Sequence, residues 1–160
     1  MDRSIVDLRR SAFAKRVVIA ALLLGVLPAF AEDATLDSTK YPQDTPQKAL
    51  GSIIKAMEGK ESEYWLAWLV TPDDTKRVKE KYETITKAVA AHQDEKHAEL
   101  MKQRLELMKK MQSDNKTTAG DENGMKWTRF TSDDKVLELD LQADGRWCMN
   151  MKVTRDQDKK

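Results

Sequence analysis

One cysteine, Cys148, stands in 160 residues, so no disulfide can form within the chain and its stability must come from packing. Six glycines and four prolines are too few for a collagen-like or low-complexity chain. Aromatics make up 6% of residues. Charge of one sign is also missing. The formal net charge is +1, which gives no electrostatic case for nucleic acid. A mean hydropathy of -0.68 excludes a multi-span membrane protein. What remains is a chain 40% hydrophobic and 34% charged, long enough for one domain.

The one long apolar run lies near the start. Arg3, Arg9, Arg10, Lys15 and Arg16 precede Val17–Leu27, Pro28 breaks the run, and Ala29-Phe30-Ala31 follows. A basic leader, a short apolar core and small residues two apart are the pattern of a secretory signal peptide. Residues 1–31 are therefore expected to be removed after Ala31, leaving a periplasmic or extracellular protein. The run is shorter than the roughly 20 residues that span a bilayer, which argues against an uncleaved, stable membrane anchor. Five of the 28 basic and two of the 27 acidic side chains fall in this segment, so the rest carries a net charge of −2.

Residues 32–44 are polar and without periodicity, and read as a flexible lead-in. Residues 45–155 read as one domain, and 156–160 as a polar tail. Thr45-Pro46 supplies a hydroxyl cap and a first-turn proline, and Ala49, Leu50, Ile53, Ile54 and Met57 form one helical stripe. Gly59 is expected to close this helix in the left-handed conformation. Ser62 can cap a second helix, apolar all round from Tyr64 to Val70 and so buried on more than one side. Thr71-Pro72-Asp73-Asp74 repeats the start signal. A single helix over the next 40 residues would extend about 60 Å, so two helices with a bend near 92–95 are expected, the second capped by Asp94.

After Gly124 the period changes to two. Three strands are expected around Trp127, around Leu137, Leu139 and Leu141, and around Trp147, Met149, Met151 and Val153, with Thr117-Thr118-Ala119 as a short fourth. Ser132-Asp133-Asp134 and Asp144-Gly145 fit the turns. The expected fold is α+β: N-terminal helices packed on a curved antiparallel sheet of three to four strands. Trp127 and Arg129 are placed on the inward phase with the leucines. Glu138, Asp140 and Cys148 fall on the opposite phase, expected to be wet.

Three passages resemble the nuclear transport factor two-like superfamily, the cone-shaped group that includes ketosteroid isomerase and the polyketide cyclases. Thr45-Pro46 to Met57-Glu58-Gly59-Lys60 is similar to its first helix. Tyr64 to Val70-Thr71-Pro72 is similar to its short second helix, and Asp144-Gly145-Arg146-Trp147 to the turn into its closing strand. The resemblance implies a curved sheet wrapped around helices and admits a homodimer through the sheet. It implies no activity, because the superfamily hosts enzymes, binding modules and assembly domains.

Tyr64, Trp65, Trp68, Trp127 and Trp147 could line a pocket for a small apolar ligand or simply form the core. Arg129 could hold an anion or snorkel at a sheet edge. His97, Met101 and Met108 share a helical face with a Cu(I)-type ligand set, against which stands methionine's ordinary use as core filler. His92 and His97 are five apart, which is not a shared helical face. No acid–base pair falls on the inward phase, and no metal, cofactor or nucleophile motif is present in the sequence. The leading expectation is an exported, non-catalytic binding or assembly module. An isomerase- or hydrolase-type enzyme with an apolar pocket is the alternative. A helical periplasmic chaperone or metal-handling protein, suggested by the Lys/Met-rich segment 94–113, is a third.

Overall fold

The computed structural model describes residues 35–152. The expected signal segment, the polar tail and Val153 lie outside the described residues. Helix α1 (Pro46–Glu58) starts as its sequence dictates: the Thr45 side chain accepts from the Lys48 N–H, and Pro46 holds the first turn. It buries Ala49, Leu50, Ile53 and Ile54. Its end differs from expectation. Gly59 stays right-handed at φ −73°, and Lys60 takes the positive φ of 56°.

Helix α2 (Ser62–Tyr64) runs on into one π-helical turn, Trp65–Leu69. Ser62 is its first helical residue, and the cap position is Glu61. The wide turn spreads the apolar run around the axis. Trp65, Leu66 and Leu69 are buried, while Trp68 is half-buried. Helix α3 (Pro72–Tyr82) is capped by Thr71, with Asp73 and Asp74 on the positive end of its dipole.

The stretch after Thr71-Pro72, expected to bend once, breaks twice. Glu83 adopts φ 68° and Thr84 caps α4 (Ile85–Ala90) through the Lys87 N–H. The chain then turns at 91–94, where Asp94 caps α5 (Glu95–Asp114) through the His97 N–H at 2.7 Å. The second break lies at the expected bend. The first is set by the Thr84 hydroxyl, a local competitor for the helical N–H groups.

Four antiparallel strands follow as a meander in the order β1 (Thr117–Glu122), β2 (Met125–Ser132), β3 (Lys135–Leu141), β4 (Trp147–Met149). Asn123 and Gly124 both take positive φ, as a two-residue hairpin turn requires. Past β4, Met151 and Lys152 turn helical, so the expected longer strand is shortened. The β4 edge is covered by Val70, which bridges Met149 in parallel, with the Thr71 N–H donating to Met149 O. The chain is thus α+β, helices packed on a four-stranded antiparallel sheet.

The register corrects the phase of β2. Phe130 pairs with Leu137, Thr128 with Leu139, and Leu139 with Met149, so these share the face that joins the helical core. Trp127 pairs with Asp140 and Arg129 with Glu138, on the opposite face. β2 carries one aromatic on each phase, and Phe130, 1% exposed, takes the interior. Glu138, Asp140 and Cys148 do lie opposite the leucines, but that face is not wet. They are 5%, 4% and 0% exposed.

Candidate functional site

A mainly apolar cleft lies between α5 and the helix-facing side of the sheet. Its volume is about 520 Å³, within the range of small-molecule sites. Helix α1 contributes Met57, the π-helical turn Trp65, α5 Leu107, Met108 and Met111, and the sheet Leu137 and Met149, with Met151 just beyond it. Five of the chain's eight methionines line this space. Methionine has three free torsions and a polarizable sulfur, so such a wall can reshape around different apolar guests. The indole N–H of Trp65 is buried and has no hydrogen-bond partner, an uncompensated group in the cleft wall.

A second depression, about 660 Å³ and more open, lies between the π-helical turn, α3 and the β3–β4 turn. The Arg146 guanidinium sits over the Trp68 ring at 5.5 Å and also donates to Trp68 O at 3.3 Å. Lys76, Lys79 and Glu80 complete its rim.

On the sheet's other face is a buried polar cluster. Arg129 donates through Nε to Glu138 at 2.6 Å, and its guanidinium stacks on Trp127 at 4.3 Å. Asn150 bridges the acids, donating to Asp140 Oδ2 at 2.8 Å and Glu138 Oε1 at 3.3 Å. Burial pushes the Asp140 carboxyl up to about 6, helped by the nearby charges of Glu138 and Asp74 and opposed by the Asn150 hydrogen bond. Asp74 itself accepts from the Met151 N–H and the Thr71 hydroxyl, both at 2.8 Å.

The five aromatics expected to line an apolar pocket, and Arg129, are dispersed. Trp65 lines the cleft and Trp68 the open depression. Tyr64 stacks on Tyr41, with ring centroids 4.3 Å apart, and its hydroxyl pairs with the Asp37 backbone. Trp127 and Arg129 are brought together, but on the far face of the sheet. Trp147 is half-buried at the margin of the core, and its N–H donates to Gln43 O. Of the cleft's other walls, Met57, Leu137, Met149 and Met151 were expected on apolar stripes and Met108 on a face with His97 and Met101, whereas Leu100 and Leu107 were not singled out. A second stripe on α5, Leu100, Leu107 and Met111, was the available signal, beside the face that carries Met101 and Met108.

His92 and His97 do meet, with ring centroids 4.8 Å apart, because the 91–94 turn folds one helix end against the next helix start. Burial and the neighbouring His92 lower the His97 pKa. Among the described residues, no group of three or more His, Cys, Asp or Glu is arranged to hold a metal ion. No described helix is long and apolar enough to cross a membrane. No family model matches the chain, and no curated protein or solved structure shows significant similarity to it.

Proposed function

We propose that this protein is an exported, non-catalytic binding module that takes a small apolar molecule into the cleft between α5 and the sheet. The observation that carries the reading is the methionine-lined cleft itself, about 520 Å³ of mainly apolar space beside an otherwise packed core. Export rests on the basic leader, apolar core and Ala29-Phe30-Ala31 of the sequence. Kinship with the cone-shaped superfamily is part of the same reading. It is supported by the hydroxyl-capped first helix, the short second helix and the antiparallel meander that follows.

The enzyme alternative would centre on Asp140, whose raised pKa is of the kind used in acid–base catalysis. Asp140 lines neither depression, and Asn150 holds its carboxylate. We therefore assign it to the fold's response to pH. Assembly as a homodimer through the sheet belongs to the far face, where Trp127 and Arg129 remain partly exposed.

The binding reading is tested with a neutral apolar fluorophore, N-phenyl-1-naphthylamine. Saturable enhancement at one site per chain is expected. Leu107→Trp, which fills the cleft from a half-buried position, should weaken it about tenfold or more. Unsaturable binding, or equal binding by a Leu107→Trp variant of unchanged unfolding midpoint, would reject the site.

A further inference from the structure

The 91–94 turn brings His92, just past the end of α4, against His97 in the first turn of α5. The ring centroids are 4.8 Å apart and the rings are tilted by 52°. Both side chains are half-buried, so solvent reaches them. Metal–nitrogen bonds are about 2.0–2.1 Å, and two imidazoles at adjacent positions of one ion have centroids roughly 4.5–5 Å apart. The His92 ring is also oriented. Its Nδ1 lies 2.8 Å from Ala88 O, and a carbonyl only accepts, so Nδ1 carries the proton and Nε2 is the basic nitrogen. The Tyr82 hydroxyl, 3.3 Å from Nε2, is the donor that faces it. A histidine whose other nitrogen donates to a backbone carbonyl is held as metal-ligating histidines are. At His97, burial and the neighbouring His92 lower the pKa, with Arg104 acting in the same direction and Asp94 against it. The ring is therefore mainly neutral at pH 7.5 and has a lone pair to give.

We propose that His92 Nε2 and the His97 ring together bind one late first-row divalent cation, Cu²⁺ most tightly, with water completing its coordination. Imidazole nitrogen suits copper, nickel and zinc, whereas magnesium and calcium take oxygen ligands. Affinity for such nitrogen sites peaks at copper. A spacing of five would place the two rings on different faces of one helix, and the turn between the helices is what makes the pair competent. The Tyr82 hydroxyl must release Nε2 as the ion enters, so the metal replaces one neutral hydrogen bond. An ion held by both rings would fasten the end of α4 to the start of α5. It would stabilise the folded chain by an amount that grows with ion concentration. Neither histidine lines the apolar cleft, so this site stands or falls apart from the binding function proposed above.

Titration of untagged, metal-free protein with copper(II) chloride at pH 7.5, in a buffer that does not bind copper, tests the proposal. Saturable binding is expected, with an unfolding midpoint that rises as copper is added. His92→Gln and His97→Gln should each weaken binding about tenfold or more. Pulsed electron paramagnetic resonance of the wild-type complex should show two coordinated imidazoles on one ion, a readout that does not depend on how the variants fold. Excess Mg²⁺ should leave the copper in place. One imidazole or none in that spectrum would overturn the shared site. Wild-type affinity in either variant, at an unchanged unfolding midpoint, would overturn it as well, because the copper would then sit elsewhere or on a single histidine. Displacement of copper by Mg²⁺ at comparable concentration would exclude the nitrogen ligand set.

Discussion

Asp140 is surrounded by charge that does not favour its own. Glu138 is two residues away on the same strand face, and Asp74 is close enough to raise its pKa. Among the described contacts Asn150 donates to its carboxylate, while Arg129 is engaged with Glu138. The folded-state pKa, about 6, lies above the unfolded value of about 3.9. Between those values the native state holds more protons than the unfolded one, so stability falls as pH rises. The contribution is fully present below about pH 4, is lost through about pH 6, and is flat above. Its size should be on the order of 3 kcal/mol. Asp140→Asn removes the charge and keeps an oxygen that can accept from Asn150. Urea midpoints of the two proteins from pH 4 to 8 should therefore converge at acid pH, with the variant the more stable above pH 6. A wild-type midpoint that rises over this interval would contradict the burial of this carboxylate.

At the scale of elements, β1 and β2 meet through a glycine and a tryptophan. Gly120 pairs with Trp127, and a Cβ built on Gly120 would lie 2.3 Å from Trp127 Cζ2. The indole therefore covers the glycine, as aromatic side chains do when they cross-pair with strand glycines. Gly120→Ala should push the ring off this seat and disturb its stack on Arg129, costing about 1 kcal/mol or somewhat more. In a Trp127→Ala background the same substitution should be neutral or mildly stabilising, since alanine then meets no ring and loses less backbone freedom. Chemical denaturation of the four proteins closes the cycle, and equal costs in both backgrounds would refute the contact. This pairing also shows what the sequence could and could not disclose. The starts at Thr45-Pro46, Thr71-Pro72 and Asp94 were legible because cap chemistry is local. The phase of β2 was not, because Met125–Ser132 offers an aromatic to each face and only the register with β3 decides between them. The burial of Glu138 and Asp140 was hidden for a related reason: the asparagine that bridges them arrives from beyond β4. The cleft draws on α1, the π-helical turn, α5 and the sheet, and no single segment carries its signature.

At the scale of the whole molecule, the stretch before α1 is tied to the last strand. Tyr41 is 1% exposed, although its segment reads in sequence as a flexible lead-in. Gln43 O accepts from the Trp147 N–H at 2.9 Å. The Gln43 side chain donates to Trp68 O, Trp147 O and Cys148 Sγ, so one amide joins the lead-in, the π-helical turn and β4. The thiol of Cys148 is enclosed by these contacts, and burial pushes its pKa up to about 11. Low access and a small thiolate fraction both suppress reaction. Cys148 should therefore resist maleimide at pH 7 and label only as the structure opens, at a rate independent of protein concentration. Gln43→Ala removes the amide that joins the three segments. Labelling should then accelerate about tenfold beyond what any loss of global stability explains, because opening the lead-in alone would expose the thiol. Labelling that slows as protein concentration rises would instead mean that a second copy shields the thiol, and would move the protection from the lead-in to an interface through the sheet.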